Sequence, residues 1–86
     1  MNRDLDQEVK IMLSKLIDLE LDAISDESDL FNDLEVDSLK VIDIVTQIER
    51  TYKVEVKDSQ LINLRTVKDV VNIVRESLEN KGKEDD

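Results

Sequence analysis

Not one proline interrupts this chain of 86 residues, and its single glycine, Gly82, stands close to the C-terminus. The tight turns of a small β-sandwich draw heavily on those two residue types, and the aromatics that would fill one are reduced to Phe31 and Tyr52. The spacing of apolar residues then decides for helices. Leu5, Val9, Met12, Leu13, Leu16 and Ile17 recur at three- and four-residue steps, which is one helical stripe. A second segment opens after Asp37, with Leu39, Ile42, Val45, Ile48 and Tyr52 marking a buried face that Val41 and Ile44 widen. The third is the most regular: Val67, Val70, Val71, Val74 and Leu78 follow Thr66, and Thr66 with Asp69 reads as a variant of the capping box. Its β-branched residues lower intrinsic helix propensity, so packing must hold it.

Between Tyr52 and Thr66, Val54 and Val56 alternate with charged residues over too few positions for a sheet. Asp58-Ser59 then offers an N-cap to a short helix through Leu61, Ile62 and Leu64. The stretch from Leu19 to Val36 is long for a helix connection, which usually takes about 2 to 8 residues. Its apolar residues Leu21, Ile24, Leu30, Phe31 and Leu34 are expected to pin it to the core, with room for one short turn. These segments predict an all-α fold of three long helices and one short helix, with a long loop between the first two. The domain is expected over residues 1–79, and residues 80–86 as a flexible charged tail.

Composition closes off much chemistry. The chain has no histidine and no cysteine, so neither a Ser-His-Asp nor a Cys-His nucleophile system can form, nor a zinc site built from those ligands. With one glycine there is no glycine-rich nucleotide loop. Twelve Lys and Arg against 22 Asp and Glu leave a net charge of −10, which opposes nucleic-acid binding and favours a basic partner surface. The same self-repulsion favours a monomer. No apolar run approaches the ~20 residues of a membrane span, and Met1 to Asp6 lacks the apolar core of a signal peptide, so a cytoplasmic protein is expected.

The chemistry the sequence does offer lies at Asp37-Ser38, where a helix is expected to begin. Unpaired backbone N–H groups and the positive end of the helix dipole favour an anion there. By itself the pair reads first as a plain N-cap and first-turn serine, which any helix can have. Its context says more. Asp33-Leu34-Glu35-Val36-Asp37-Ser38-Leu39, an amphipathic helix through Ile48-Glu49, then Tyr52, Glu55, Val56 and Thr66-Val67, resemble the acyl carrier proteins over about residues 5 to 78.

The resemblance implies a four-helix bundle in which Ser38 carries 4'-phosphopantetheine, donated from coenzyme A by a phosphopantetheinyl transferase. The arm would supply the thiol that the chain lacks, and acyl groups would ride on it as thioesters. The protein would then be no enzyme itself but a substrate and shuttle for enzymes of fatty acid, polyketide or related lipid synthesis. Its partners would be acyltransferases, ketosynthases or acyl-activating enzymes with basic docking patches. Asp37 and Leu39 match the positions flanking the modified serine, which contact the transferase and later enzymes. Asp43 and Glu49 match acidic positions that face partners, and Lys40 stands among them. Leu30, Ile44, Ile48, Val56, Leu61 and Leu64 match the lining of the acyl cavity. For the acids the plain alternative is a solvated face, and for the apolar set an ordinary core.

Three departures from the family pattern stand out. Glu35 occupies a position that is commonly glycine, so a glycine-only backbone angle is either absent or strained. Lys40 and Arg50 replace residues that are often acidic, and Lys40 near a helix start works against the macrodipole. Lys57 stands near where the family often has proline. Glu35-Val36 in place of a Gly-Gly pair favours an acyl over a peptidyl carrier. The rival reading is an acidic helical interaction module, an adaptor or inhibitor with no covalent modification. A calcium loop starting at Asp22 fails, because Ile24, Glu27 and Asp33 occupy the third, sixth and twelfth positions.

Overall fold

The computed structural model describes residues 4–84. Helix α1 spans Leu5–Leu16, a 3-10 turn Leu21–Ala23, α2 Ser38–Tyr52, α3 Asp58–Leu61 and α4 Val67–Glu84. Among the described residues there is no strand, only an isolated antiparallel bridge between Asp29 and Thr66. The fold is thus all-helical, with the three long helices and the one short helix that the apolar spacing predicts. No described helix is long and apolar enough to cross a membrane.

Local signals place the helix starts. Asp4 caps α1, its Oδ1 accepting from Gln7 N at 3.1 Å. Asp69 Oδ2 accepts from the amides of Thr66 and Arg65 at 3.0 Å each, while Asp69 N donates to Thr66 Oγ1 at 3.3 Å. That reciprocal pair is the capping box expected at α4. The short helix starts one residue earlier than expected. Lys57 is its cap, Lys57 N donating to Gln60 Oε1 at 2.8 Å. Gln60 Nε2 then reaches Glu76 Oε1 at 3.2 Å and the buried Ser77 Oγ at 3.4 Å, tying α3 to α4.

The core joins Val9 and Leu13 of α1, Ile44, Ile48 and Tyr52 of α2, and Val67, Val70, Val71, Ile73 and Val74 of α4. Val41 and Val45 pack at its edge. This rotates α2 relative to the expected stripe: Leu39 is 72 % exposed and Ile42 60 %. Neighbouring helices sit on both flanks of Ile44 and Ile48, so the buried arc centres there and turns the 39/42 edge outward. Similarly Ile24, Leu30 and Leu34 anchor the long loop, whereas Phe31 remains 41 % exposed.

The stretch expected as a tail is helical over its described part. Residues 80–84 continue α4, and Lys81 Nζ reaches the carbonyl of Tyr52 at 3.5 Å, at the C-terminal end of α2. A cation at that end meets unpaired carbonyls and the negative pole of the dipole, so the extra turn has a tertiary contact to hold it. Residues 85 and 86 lie outside the described residues.

Candidate functional site

Backbone bonds fasten the long loop to the bundle and to itself. Leu30 N donates to Arg65 O at 2.7 Å, Val67 N to Ser28 O at 3.1 Å and Lys68 N to Asp26 O at 3.0 Å. Leu34 N then donates to Asp29 O at 3.1 Å and Val36 N to Leu30 O at 2.8 Å, folding residues 29–36 into a compact turn that ends at Asp37. Lys10 adds an ionic clamp from α1, its Nζ lying 2.8 Å from Asp6 and 2.9 Å from Asp26. Lys10 holds the Asp26 carboxyl below the usual range, and the two aspartates raise the Lys10 ammonium above its ordinary value.

Asp29 organises the turn. Its Oδ1 accepts from Asn32 N and Phe31 N, both at 2.9 Å, and its Oδ2 lies 3.4 Å from Arg65 Nη1. The Asn32 amide foremost, then the Phe31 amide and the Arg65 guanidinium, hold the carboxyl below its ordinary 3.8. A carboxyl lowered in the folded state adds stability above the unfolded value, and that stability is lost as pH falls through the folded value. Asp29→Asn is therefore expected to lower the melting temperature at neutral pH, and the gap to the wild type should close on acidification past 3.8. A gap that stays constant in a thermal melt series would mean that the charge does not hold the turn.

Glu35 adopts φ 57°, the left-handed region that glycine enters without penalty. A left-handed angle is thus present and a side chain is forced through it, with Asp33 and Asp37 close in sequence. Glu35→Gly relieves about 1–2 kcal/mol of conformational strain, offset by about 0.4–1 kcal/mol from the freer unfolded chain. The expected outcome is a rise of a few degrees in melting temperature, and a fall would show that Glu35 makes a contact of its own.

This turn delivers Ser38 as the first residue of α2, exposed to solvent. Asp37 caps the helix, its Oδ1 taking Lys40 N at 2.8 Å, and the first backbone bond of the helix runs from Val41 N to Asp37 O at 3.0 Å. The amides of Ser38 and Leu39 precede that bond and are free of the helix ladder. No acidic residue occupies the first turn. A phosphodiester on Ser38 Oγ fits here: the hydroxyl is accessible, and the charge meets two free amides and the positive end of a 15-residue dipole.

The other expected site residues divide. Leu30, Ile44, Ile48 and Val56 are buried together in the core, and Leu61 and Leu64 pack half-buried against it. Leu30 is 0 % exposed and Ile44 and Ile48 1 %, so a chain entering among them must part the core. Asp43 is exposed, and so is Leu39, which the apolar spacing places on the buried face. Lys40 and Glu49 are both engaged within the fold. Lys40 Nζ donates to Leu16 O, the last residue of α1, at 3.2 Å and lies 3.7 Å from Asp43. Its positive charge, unfavourable for α2's own dipole, serves the C-terminal end of α1 instead. Glu49 Oε2 accepts from Val56 N at 3.0 Å, bracing the segment between α2 and α3. A groove of about 500 Å³ runs between α1 and α2, lined by Ile11, Met12, Leu16, Gln47 and Thr51 among others. Gln47 and Thr51 lie about half a turn around α2 from Ser38, on the opposite flank.

The sequence left Asp29 without an assignment and placed Ile42 on the buried face of α2. For Asp29 the signal was an aspartate opening a short polar turn, a common Asx pattern. For Ile42 no local signal existed, since an apolar residue at helical spacing reads as core.

The sequence model of the phosphopantetheine attachment site matches residues 7–74. An acyl carrier protein of Coprothermobacter proteolyticus is 41% identical over 75 residues, covering 87% of this chain and 92% of the relative. One from Campylobacter fetus is 36% identical over 67 residues, covering 78% and 87%. The crystal structure of an acyl carrier protein from Thermotoga maritima superposes with a TM-score of 0.73 at 25% identity, covering 93% of this chain and 99% of that one. With the helical fold, the serine at a helix start and these similarities in hand, the chain belongs to the acyl carrier protein family, whose cofactor is covalently attached 4'-phosphopantetheine.

Proposed function

We propose that Ser38 is the attachment point, and that the chain carries acyl groups as thioesters on the arm between cytoplasmic enzymes of fatty acid, polyketide or related lipid synthesis. One observation carries this: an exposed serine hydroxyl at the first position of a long helix, with two amides beside it left out of the helix ladder. Asp37 holds that geometry through Lys40 N, and Leu39 stands exposed next to it for the transferase to contact. The chain supplies position and charge tolerance, and the arm supplies the thiol. Making and breaking the thioester falls to the partner enzymes, so the chain acts as carrier and not as catalyst. We read Leu30, Ile44, Ile48, Val56, Leu61 and Leu64 as the part of the core that opens to shelter the acyl chain. The charge of −10 supports a monomer.

The test is intact mass after incubation with coenzyme A and a broad-specificity phosphopantetheinyl transferase. A gain of one phosphopantetheine unit, absent in Ser38→Ala, is the expected result. No gain on a folded sample would sink the attachment reading and leave an acidic interaction module.

A further inference from the structure

Far from Ser38, the apolar wall of the core ends in polar groups. On the inner face of α4, Val67, Val70 and Val74 are each at most 1 % exposed, and the next residue at that spacing is Ser77, itself 2 % exposed. On α2, Ile44 and Ile48 are followed by Tyr52, whose hydroxyl donates to Glu8 Oε1 at 3.1 Å. Ser77 Oγ accepts from Gln60 Nε2 at 3.4 Å, and among the described residues nothing accepts the Ser77 proton. A buried donor left without an acceptor is unfavourable until something meets it. Ser77 also lines a cavity of about 240 Å³, together with Lys53, Val54, Lys57 and Lys81. Lys53 stands at the end of α2, Lys57 at the start of α3 and Lys81 on α4. These are three of the 12 cations in a chain with 22 Asp and Glu, yet none of them pairs with a carboxylate among the described residues. Glu55 is the one acid in the lining. The Tyr52 carbonyl, 3.5 Å from Lys81 Nζ, accounts for one ammonium and leaves the other two without a compensating group. Val54 packs against the same core as Val56, so the cavity adjoins the apolar region read as the shelter of the acyl chain.

We propose that the cargo suited to this core is a long dicarboxylic acyl chain, its free carboxylate seated in the cavity among Lys53, Lys57 and Lys81 with the Ser77 hydroxyl donating to it. This rests on the carrier reading and on the core as the shelter of the chain. A carboxylate that stopped beside Ile48 and Val74 would lose its water and find no partner. In the cavity it meets three ammonium groups and a hydroxyl, and it keeps contact with solvent because Lys53 and Lys57 are exposed. About 12 Å of α2 separates Ile44 from Tyr52, so a short dicarboxylic cargo does not reach the lysines and gains nothing from them.

The test loads the intact protein from the coenzyme A thioesters of decanoate and of decanedioate with the broad-specificity transferase, and follows loading by mass. Thermal melts and amide NMR shifts then compare the two loaded forms at neutral pH. The decanedioyl form is expected to melt several degrees above the decanoyl form, with the largest shift differences at Lys53, Val54 and Ser77. That advantage should vanish when Lys53→Gln, Lys57→Gln and Lys81→Gln are combined, shrink in Ser77→Ala, and persist in Lys15→Gln on α1, which removes a cation elsewhere. Melts of the unloaded variants establish that each is folded, and Ser77→Ala keeps the test open if the triple variant is not. A decanedioyl form that melts at or below the decanoyl form, or an advantage that survives the lysine and serine substitutions, would overturn the cargo proposal while leaving the carrier reading intact. Failure of the wild type to load from either thioester would instead overturn the carrier reading and the cargo proposal with it.

Discussion

Truncation of Leu30 to alanine is expected to destabilise the protein by about 2–5 kcal/mol, the range for a fully buried leucine whose surroundings relax only in part. Leu30 is fully buried, and its backbone is held on both sides, Leu30 N by Arg65 O and Leu30 O by Val36 N. Those two bonds limit collapse around the vacated space, which places the expected loss in the upper part of the range. Against a total stability of about 5–15 kcal/mol for a small domain, such a loss is a large share. Urea denaturation should show the midpoint falling with the slope unchanged. Loading of Ser38 should fall as well, because the turn from Asp29 to Val36 positions Asp37. A loss below about 1 kcal/mol would mean that the core around Leu30 is loose enough to refill itself.

The second large effect is expected from Asp69→Ala. One carboxylate oxygen takes two amides, those of Arg65 and Thr66, and the Asp69 amide returns a bond to the Thr66 hydroxyl. Loss of a capping side chain usually costs about 0.5–2 kcal/mol, and hydrogen bonds to a charged group about 1.5–3 kcal/mol. About 2 kcal/mol is therefore expected. Arg65 O also accepts Leu30 N, so loosening the start of α4 should loosen the long loop too. Amide hydrogen exchange separates a local from a general effect. Faster exchange at Leu30 and Val67, beyond the global change, is the expected outcome, and uniform acceleration would show that the cap and the loop are independent.

Local patterns in the sequence reach far in this protein. The absence of proline and the three- and four-residue spacing are properties of the chain itself, and they locate all three long helices. Thr66 with Asp69 and Asp37 before Ser38 act within three residues of themselves, so the caps and the serine proposed for attachment are legible in one dimension. The resemblance around Asp37-Ser38-Leu39 then names the cofactor, because that chemistry needs only an exposed hydroxyl at a helix start.

The tertiary structure decided everything that depends on which neighbour a side chain meets. Leu39 and Ile42 share helical spacing with Ile44 and Ile48, and periodicity cannot say which arc of an apolar helix faces in; the packing of α1 and α4 on α2 settled that. Lys40 and Glu49 read as outward charges, yet Lys40 spans 24 residues of sequence to the carbonyl of Leu16, and Glu49 folds back on Val56. Lys81 likewise extends α4 past its last apolar residue by reaching Tyr52, 29 residues away. Unpaired carbonyls at helix ends draw cations from whichever element lies nearest in space, and a sequence lists neighbours only along the chain. The sequence by itself determined the helices and the serine; the folded arrangement determined which side chains lie exposed around it.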